Sequence, residues 1–259
     1  MTDCWRLDDG RQSLVLGLRE GGLAEVLYWG ARLPDGEDLA ALAAAGEADV
    51  TGGMLDANPP LSICPESARS FPGQPGMRLR AADDGRPLAP DFRLVEAAEE
   101  GPGQVAFLWR DASLGVAYGA RFAIDAETHM IEARAWLESE RPVLLDWLAA
   151  PVFPAPQEAV DMIDFAGRWC GEFQPVRSPW SAGIRLRDNR TGRTGHEHFP
   201  ALIVPGRGAT NTAGNAWAFH YGWSGGHGMV AEELPDGRRQ VQFGHAPGTE
   251  TAPLTRFET

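Results

Sequence analysis

The chain of 259 residues carries 36 acidic and 23 basic side chains, a formal net charge of −13, and all 23 basic residues are arginine. The absence of lysine excludes Schiff-base chemistry, a P-loop lysine and a lysine general base. An acidic chain without a basic stripe excludes ordinary recognition of nucleic acid, whose phosphates demand clustered positive charge.

In chain order, short apolar runs between glycine and proline predict strands over residues 13–18 and 24–29. Residues 37–47, with Leu39-Ala40-Ala41-Leu42 at their centre and Gly46 as the stop, read as the one short helix. Residues 51–90 are rich in Pro and Gly and lack periodicity, so a long irregular segment is expected there. Strands follow over 104–111, 115–124, 130–138 and 143–149. In the third of these Ile131, Ala133, Ala135 and Leu137 face one way and Glu132, Arg134 and Glu138 the other. Val105-Ala106-Phe107-Leu108-Trp109 has no polar face and suggests an interior strand. A second irregular segment is expected over 165–183, then strands over 183–187, 201–204, 216–223, 229–234 and 240–244. Asp-Gly pairs at 9–10, 35–36, 84–85 and 236–237 read as hairpin turns. This pattern predicts an all-β fold, a large sandwich of mostly antiparallel strands with one short helix, formed by residues 1–259 as a single domain.

Met1-Thr2-Asp3-Cys4-Trp5-Arg6 lacks the features of a signal peptide, and no run approaches the ~20 apolar residues that cross a bilayer. Cys4, Cys64 and Cys170 are odd in number and far apart, which suits reduced thiols. A cytoplasmic protein without membrane contact is therefore expected.

Nothing in the spacing of the 36 carboxylates selects a catalytic pair. His196-Glu197-His198 could place two imidazoles on one strand face, but no third ligand is evident, so no metal is expected. Gly225-Gly226-His227-Gly228 reads as a turn. Trp29, Trp169, Trp180, Trp217 and Trp223 stand beside glycine or polar residues, where a ring could be partly exposed to stack on a sugar or could fill the core.

Five pieces occur in a recognisable order: Tyr28-Trp29-Gly30-Ala31-Arg32-Leu33, Phe165-Ala166-Gly167-Arg168-Trp169-Cys170-Gly171-Glu172, Gly195-His196-Glu197-His198-Phe199-Pro200-Ala201-Leu202, Trp217-Ala218-Phe219-His220-Tyr221-Gly222-Trp223-Ser224-Gly225 and Val241-Gln242-Phe243-Gly244. Together they resemble the N-terminal domain of bacterial α-galactosidases of glycoside hydrolase family 36. The resemblance implies a galactose mutarotase-like β-supersandwich of two large sheets, packed on a catalytic (β/α)8 barrel. The barrel needs ~250 residues of its own and the family's nucleophile follows a Lys-Trp motif, so the barrel is absent from this chain and the chain is expected to be inactive alone. Thr259 reads as a cut at a domain boundary.

The resemblance further implies that the parent enzyme hydrolyses galactosides, needs no cofactor, forms homo-oligomers, and places a loop of this domain near a substrate pocket. Pro65-Glu66 matches that loop, whereas Gly76-Met77-Arg78-Leu79-Arg80 departs from its Gly-Asp-Phe-Arg. Asp56, Arg78 and Arg80 are the loop candidates. Arg168, Trp169 and Trp180 read either as the interface with the barrel or as core, and exposure of Trp180 separates the two. The rival functions are a stand-alone mutarotase-like epimerase, with His220 as acid and Glu232 or Glu233 as base, and a carbohydrate-binding module without chemistry.

Overall fold

A computed structural model describes residues 2–47 and 58–259. The strands of the first half are β1 Thr2–Asp8, β2 Gln12–Arg19, β3 Glu25–Ala31, β4 Met77–Ala81, β5 Pro87–Leu88, β6 Arg93–Gly101, β7 Gln104–Asp111, β8 Val116–Ile124 and β9 Ile131–Leu148. Those of the second half are β10 Phe153–Pro154, β11 Asp161–Arg168, β12 Gly171–Pro179, β13 Gly183–Asn189, β14 Ala201–Pro205, β15 Ala216–His220, β16 His227–Glu233, β17 Arg239–His245 and β18 Leu254–Glu258. The helix is α1, Leu39–Ala45. Its N-terminus is capped by Asp38, whose carboxylate accepts from the amides of Ala40 and Ala41 at 3.0 Å.

The expected all-β class holds, but the strands divide among four antiparallel sheets instead of two large ones. A sheet ordered β5-β4-β9-β8-β7-β6, with β18 beside β9, packs on the three-stranded sheet β1-β2-β3. Their shared core is built on Phe107, Trp109, Tyr118 and Phe122, each at most 2% exposed. Phe107 and Trp109 stack at 5.1 Å on the interior strand β7. The second sandwich sets β10-β17-β16-β13 against β12-β11-β14-β15 around Met162, Trp180, Leu202, Tyr221 and Phe243. An isolated bridge between Ala149 and Gly244, and the Ala150 amide on the Phe243 carbonyl at 2.7 Å, join the halves.

Several expectations are corrected. Residues 130–138 and 143–149 form one strand, β9, because its partner changes from β8 at Ser139 to β4 at Val143. Pro142 falls in that gap, where its missing N–H costs no ladder bond. The segment 165–183 is mostly regular: β11 and β12 pair from Asp161–Pro179 to Ala166–Gln174 and close at Trp169 and Cys170. Gly167 is required there, since a Cβ would lie 2.3 Å from the Gly171 carbonyl oxygen. Within 51–90, the described part contains a short 3-10 turn, Ser67–Arg69, and strands β4 and β5. Asp-Gly pairs close the β1–β2, β4–β5 and β16–β17 hairpins, but Asp35-Gly36 lies between β3 and α1.

Candidate functional site

Two surfaces gather the candidate residues. The first is a groove of about 230 Å³ between β4, the end of β9 and the outer face of β13-β16-β17, lined by Arg78, Trp147, Leu186, Asp188, Val230 and Gln242 among others. Arg78 is the cross-strand partner of Trp147 and is exposed at the groove. Trp147 lies over glycines: a Cβ on Gly228 or Gly244 would stand 3.1 or 2.8 Å from its ring. The Trp147 indole donates to Gln242 Oε1 at 3.0 Å, and Gln242 and Gln240 both donate to the Gln74 carbonyl. The Gln74 amide in turn donates to Glu232 Oε2 at 2.8 Å, which fastens the 65–76 loop to the sheet.

Arg80 does not join this groove as a free group. Its Nε and Nη2 donate to the two carboxylate oxygens of Asp146, each at 2.8 Å, and that fork holds the Asp146 carboxyl below its usual range. Asp56 lies outside the described residues.

The same loop contains Glu66, visible in the sequence as half of Pro65-Glu66. Glu66, 8% exposed, accepts from the Phe92 amide at 2.8 Å and pairs with Arg69 at 3.1 Å. Burial pushes its carboxyl up to about 7, against the opposing pull of the Phe92 amide and Arg69. Pro65-Glu66 was legible as a motif; the burial that gives Glu66 its character was not.

The second surface is the outer face and hairpin tip of the β12-β11-β14-β15 sheet. Trp169 is 80% and Phe173 50% exposed. Phe173 meets Phe199 edge-on at 5.1 Å and His196 at 6.1 Å, and Phe199 lies against Phe165 and His220. Arg168 is exposed beside Trp169. Trp180 is not part of this patch. It is 8% exposed in the second core, beneath the Arg239 guanidinium, 5.1 Å from the ring centroid, so Trp180 is core and the interface reading that included it does not hold. Trp180 follows directly on the end of β12, and its amide donates to the Val160 carbonyl at 3.0 Å.

Other candidates are dispersed. Trp29, Trp217 and Trp223 are half-buried and engaged: Trp29 donates to Gln12, Trp217 to the Trp29 carbonyl, and Trp223 stacks on Tyr221 at 5.9 Å. His196 and His198 lie in bends before β14, so no strand aligns their rings. Among the described residues no three His, Cys, Asp or Glu side chains are arranged to hold a metal ion. His220 sits on the outer face of β15, while Glu232 is held by Gln74 and Gln240 on the opposite side of the same sandwich. That separates the acid and base of the epimerase reading. Glu233 is engaged elsewhere, by Arg239 at 2.7 Å.

An all-β domain that presents surfaces, with its prominent buried carboxylates tied to structural partners, is what these observations define. Residues 22–255 match the glycosyl hydrolase family 36 N-terminal domain, and the chain belongs to that family. It is 34% identical over 244 residues, 92% of its length, to an alpha-galactosidase of Escherichia coli. The chain spans 32% of that relative's length. In fold it is similar to a GH36 alpha-galactosidase from Geobacillus stearothermophilus solved with raffinose (TM-score 0.84, 19% identity, 99% of this chain and 39% of that one). It is likewise similar to an alpha-galactosidase from Lactobacillus brevis (TM-score 0.81, 16% identity, 99% and 38%). No helix among the described residues is long and apolar enough to cross a membrane.

Proposed function

We propose that this chain is the non-catalytic part of an α-galactosidase whose catalytic (β/α)8 barrel lies in the same longer protein. The whole enzyme removes terminal α-linked galactose from oligosaccharides such as melibiose or raffinose, through a covalent intermediate and two barrel carboxylates. In this reading the domain packs on the barrel, takes part in homo-oligomer assembly and walls one side of the substrate pocket.

The observation that carries the proposal is the uncovered aromatic face formed by Phe165, Phe173, Phe199 and the protruding Trp169. Large aromatics flanked by Arg168 and Arg177 have the composition of an interface core, and a sheet face left this apolar requires a cover. Arg168 and Trp169 are assigned to the barrel contact and Arg78 to the pocket wall. Trp180 and Arg80 are withdrawn from those roles by their burial and pairing.

The test compares the chain with the longer protein. The longer protein is expected to release galactose from raffinose. Trp169→Ser with Phe173→Ser is expected to lower its melting temperature while leaving that of the 259-residue chain within about 2 °C. Equal destabilisation of both forms would place these rings in the domain's own fold and sink the interface assignment.

A further inference from the structure

We propose that the seam between the two sandwiches is a pH-sensitive joint, and that protonation of His245 opens it by releasing strand β18. His245 ends β17 and is 1% exposed. Its ring lies between Trp147 of β9, at 5.9 Å, and Phe257 of β18, at 4.9 Å. Neither ring nitrogen has a hydrogen-bond partner. This is an apolar slot that accommodates a neutral imidazole and penalises a charged one.

The neighbouring charges do not relieve that penalty. Arg78 on β4 opposes a positive charge on His245, and the Leu148 carbonyl of β9 favours it without meeting hydrogen-bond geometry. The cross-strand partner on β16 is His227, 2% exposed, whose own charge is opposed by His198 and favoured by Asp188 of β13. On β18 the charged residues Arg256 and Glu258 flank Phe257 and alternate away from it, with Arg256 paired to Glu138 of β9. Burial, the largest cause, depresses His245 to about 4. The folded form therefore resists protonation relative to an unfolded histidine near 6.5. The seam is complete above that value and weakens as pH falls toward 4.

Strand β18 is the element positioned to leave. It is held to β9 by a short ladder, interrupted between Leu254 and Arg256, and its Phe257 covers the imidazole directly. No residue of β18 is among the fully buried residues of either core; Leu254 and Phe257 pack, half-buried, on the margin of the first, and the second takes none from it.

Hydrogen exchange read by mass spectrometry, corrected for intrinsic rates and followed from pH 7 to pH 4, tests the proposal. Protection of residues 254–258 is expected to fall at least tenfold over that range while β7 and β8 stay protected. His245→Phe, which cannot be charged, is expected to remove the dependence, and His227→Phe to retain it. A proton-carbon NMR titration of the unsubstituted chain supplies a second reading should His245→Phe fail to fold: the His245 ring should titrate near pH 4, in step with the loss of protection. Unchanged behaviour in His245→Phe, abolition by His227→Phe, simultaneous loss in β7 and β8, or a His245 ring that titrates near 6.5 with β18 still protected would each overturn the proposal.

Discussion

The guanidinium of Arg239 covers the Trp180 indole at 5.1 Å, so a strand of one sheet closes over the last residue leaving the opposite sheet. Arg239 is held in place by Glu233 and by the carbonyls of Pro156, Gln157 and Ala159. Trp180 is thus a core residue under a fixed cation, a contact worth ~1–2 kcal/mol beyond the ring's burial. Trp180→Ser is expected to cost about 3–5 kcal/mol in urea unfolding. Trp169→Ser, at an exposed hairpin tip, should change stability by less than about 0.5 kcal/mol.

Asp164 is 2% exposed and receives both Arg185 and Arg187 from the facing sheet, with Nε–O distances of 2.9 Å. Removing the carboxylate leaves two guanidinium groups against the second core without compensation. Asp164→Ala is expected to destabilise by about 3–5 kcal/mol. Replacing all three residues by aliphatic ones should recover most of that loss; if it does not, the packing around Asp164 matters more than its charge.

The sequence made some of this legible and hid the rest for identifiable reasons. Strand β7 was read at its true bounds because Val105, Phe107 and Trp109 alternate inward along a run free of turn residues. The helix followed from its Ala-Leu run and Gly46, although Asp38, which caps it, sits one residue after the expected start. Strands β1 and β6 were missed because TDCWRLD and RLVEAAEEG are half polar, as edge strands tend to be. The β11–β12 hairpin lay inside the segment 165–183 that the sequence suggested was irregular, because its mixed polar and aromatic residues show no alternation; Gly167 permits a tight bulge there, and Pro175 sits on the edge strand β12. The candidate sites depended on contacts remote in sequence: Arg80 finds Asp146 66 residues on, and Gln74 finds Glu232 158 residues on. No local pattern encodes such pairs.

Glu66 gives a pH dependence of the opposite sign to that of His245. Its folded carboxyl sits near 7 and its unfolded one near the usual 4.3, so the folded state binds the proton more tightly. Stability from this group is greatest below about pH 4 and declines as pH rises to about 7, by an amount on the order of 3 kcal/mol. The expected result is that Glu66→Gln, relative to the unsubstituted chain, gains stability progressively between pH 4.5 and 7 in paired denaturant titrations. A difference independent of pH would mean that Glu66 is ionised throughout.

The glycines under Trp147 set how closely the two sandwiches meet. A Cβ on Gly244 would lie 2.6 Å from the Leu148 carbonyl and 2.8 Å from the Trp147 ring, and the first of these is backbone that cannot step aside cheaply. Gly244→Ala should cost about 1–3 kcal/mol. Gly228→Ala, at 3.1 Å from the ring and 3.4 Å from Asp188 Oδ1, both side chains, should cost less. Thermal unfolding of the two variants checks the order.

Whether the domain supplies surface and not chemistry, as proposed, is tested most directly on the pure 259-residue chain. Incubated with an aryl α-galactoside, and separately with α-galactose followed by polarimetry, it is expected to show neither hydrolysis nor mutarotation above buffer. Robust release of the aryl group, or a mutarotation rate abolished by His220→Ala, would contradict the account.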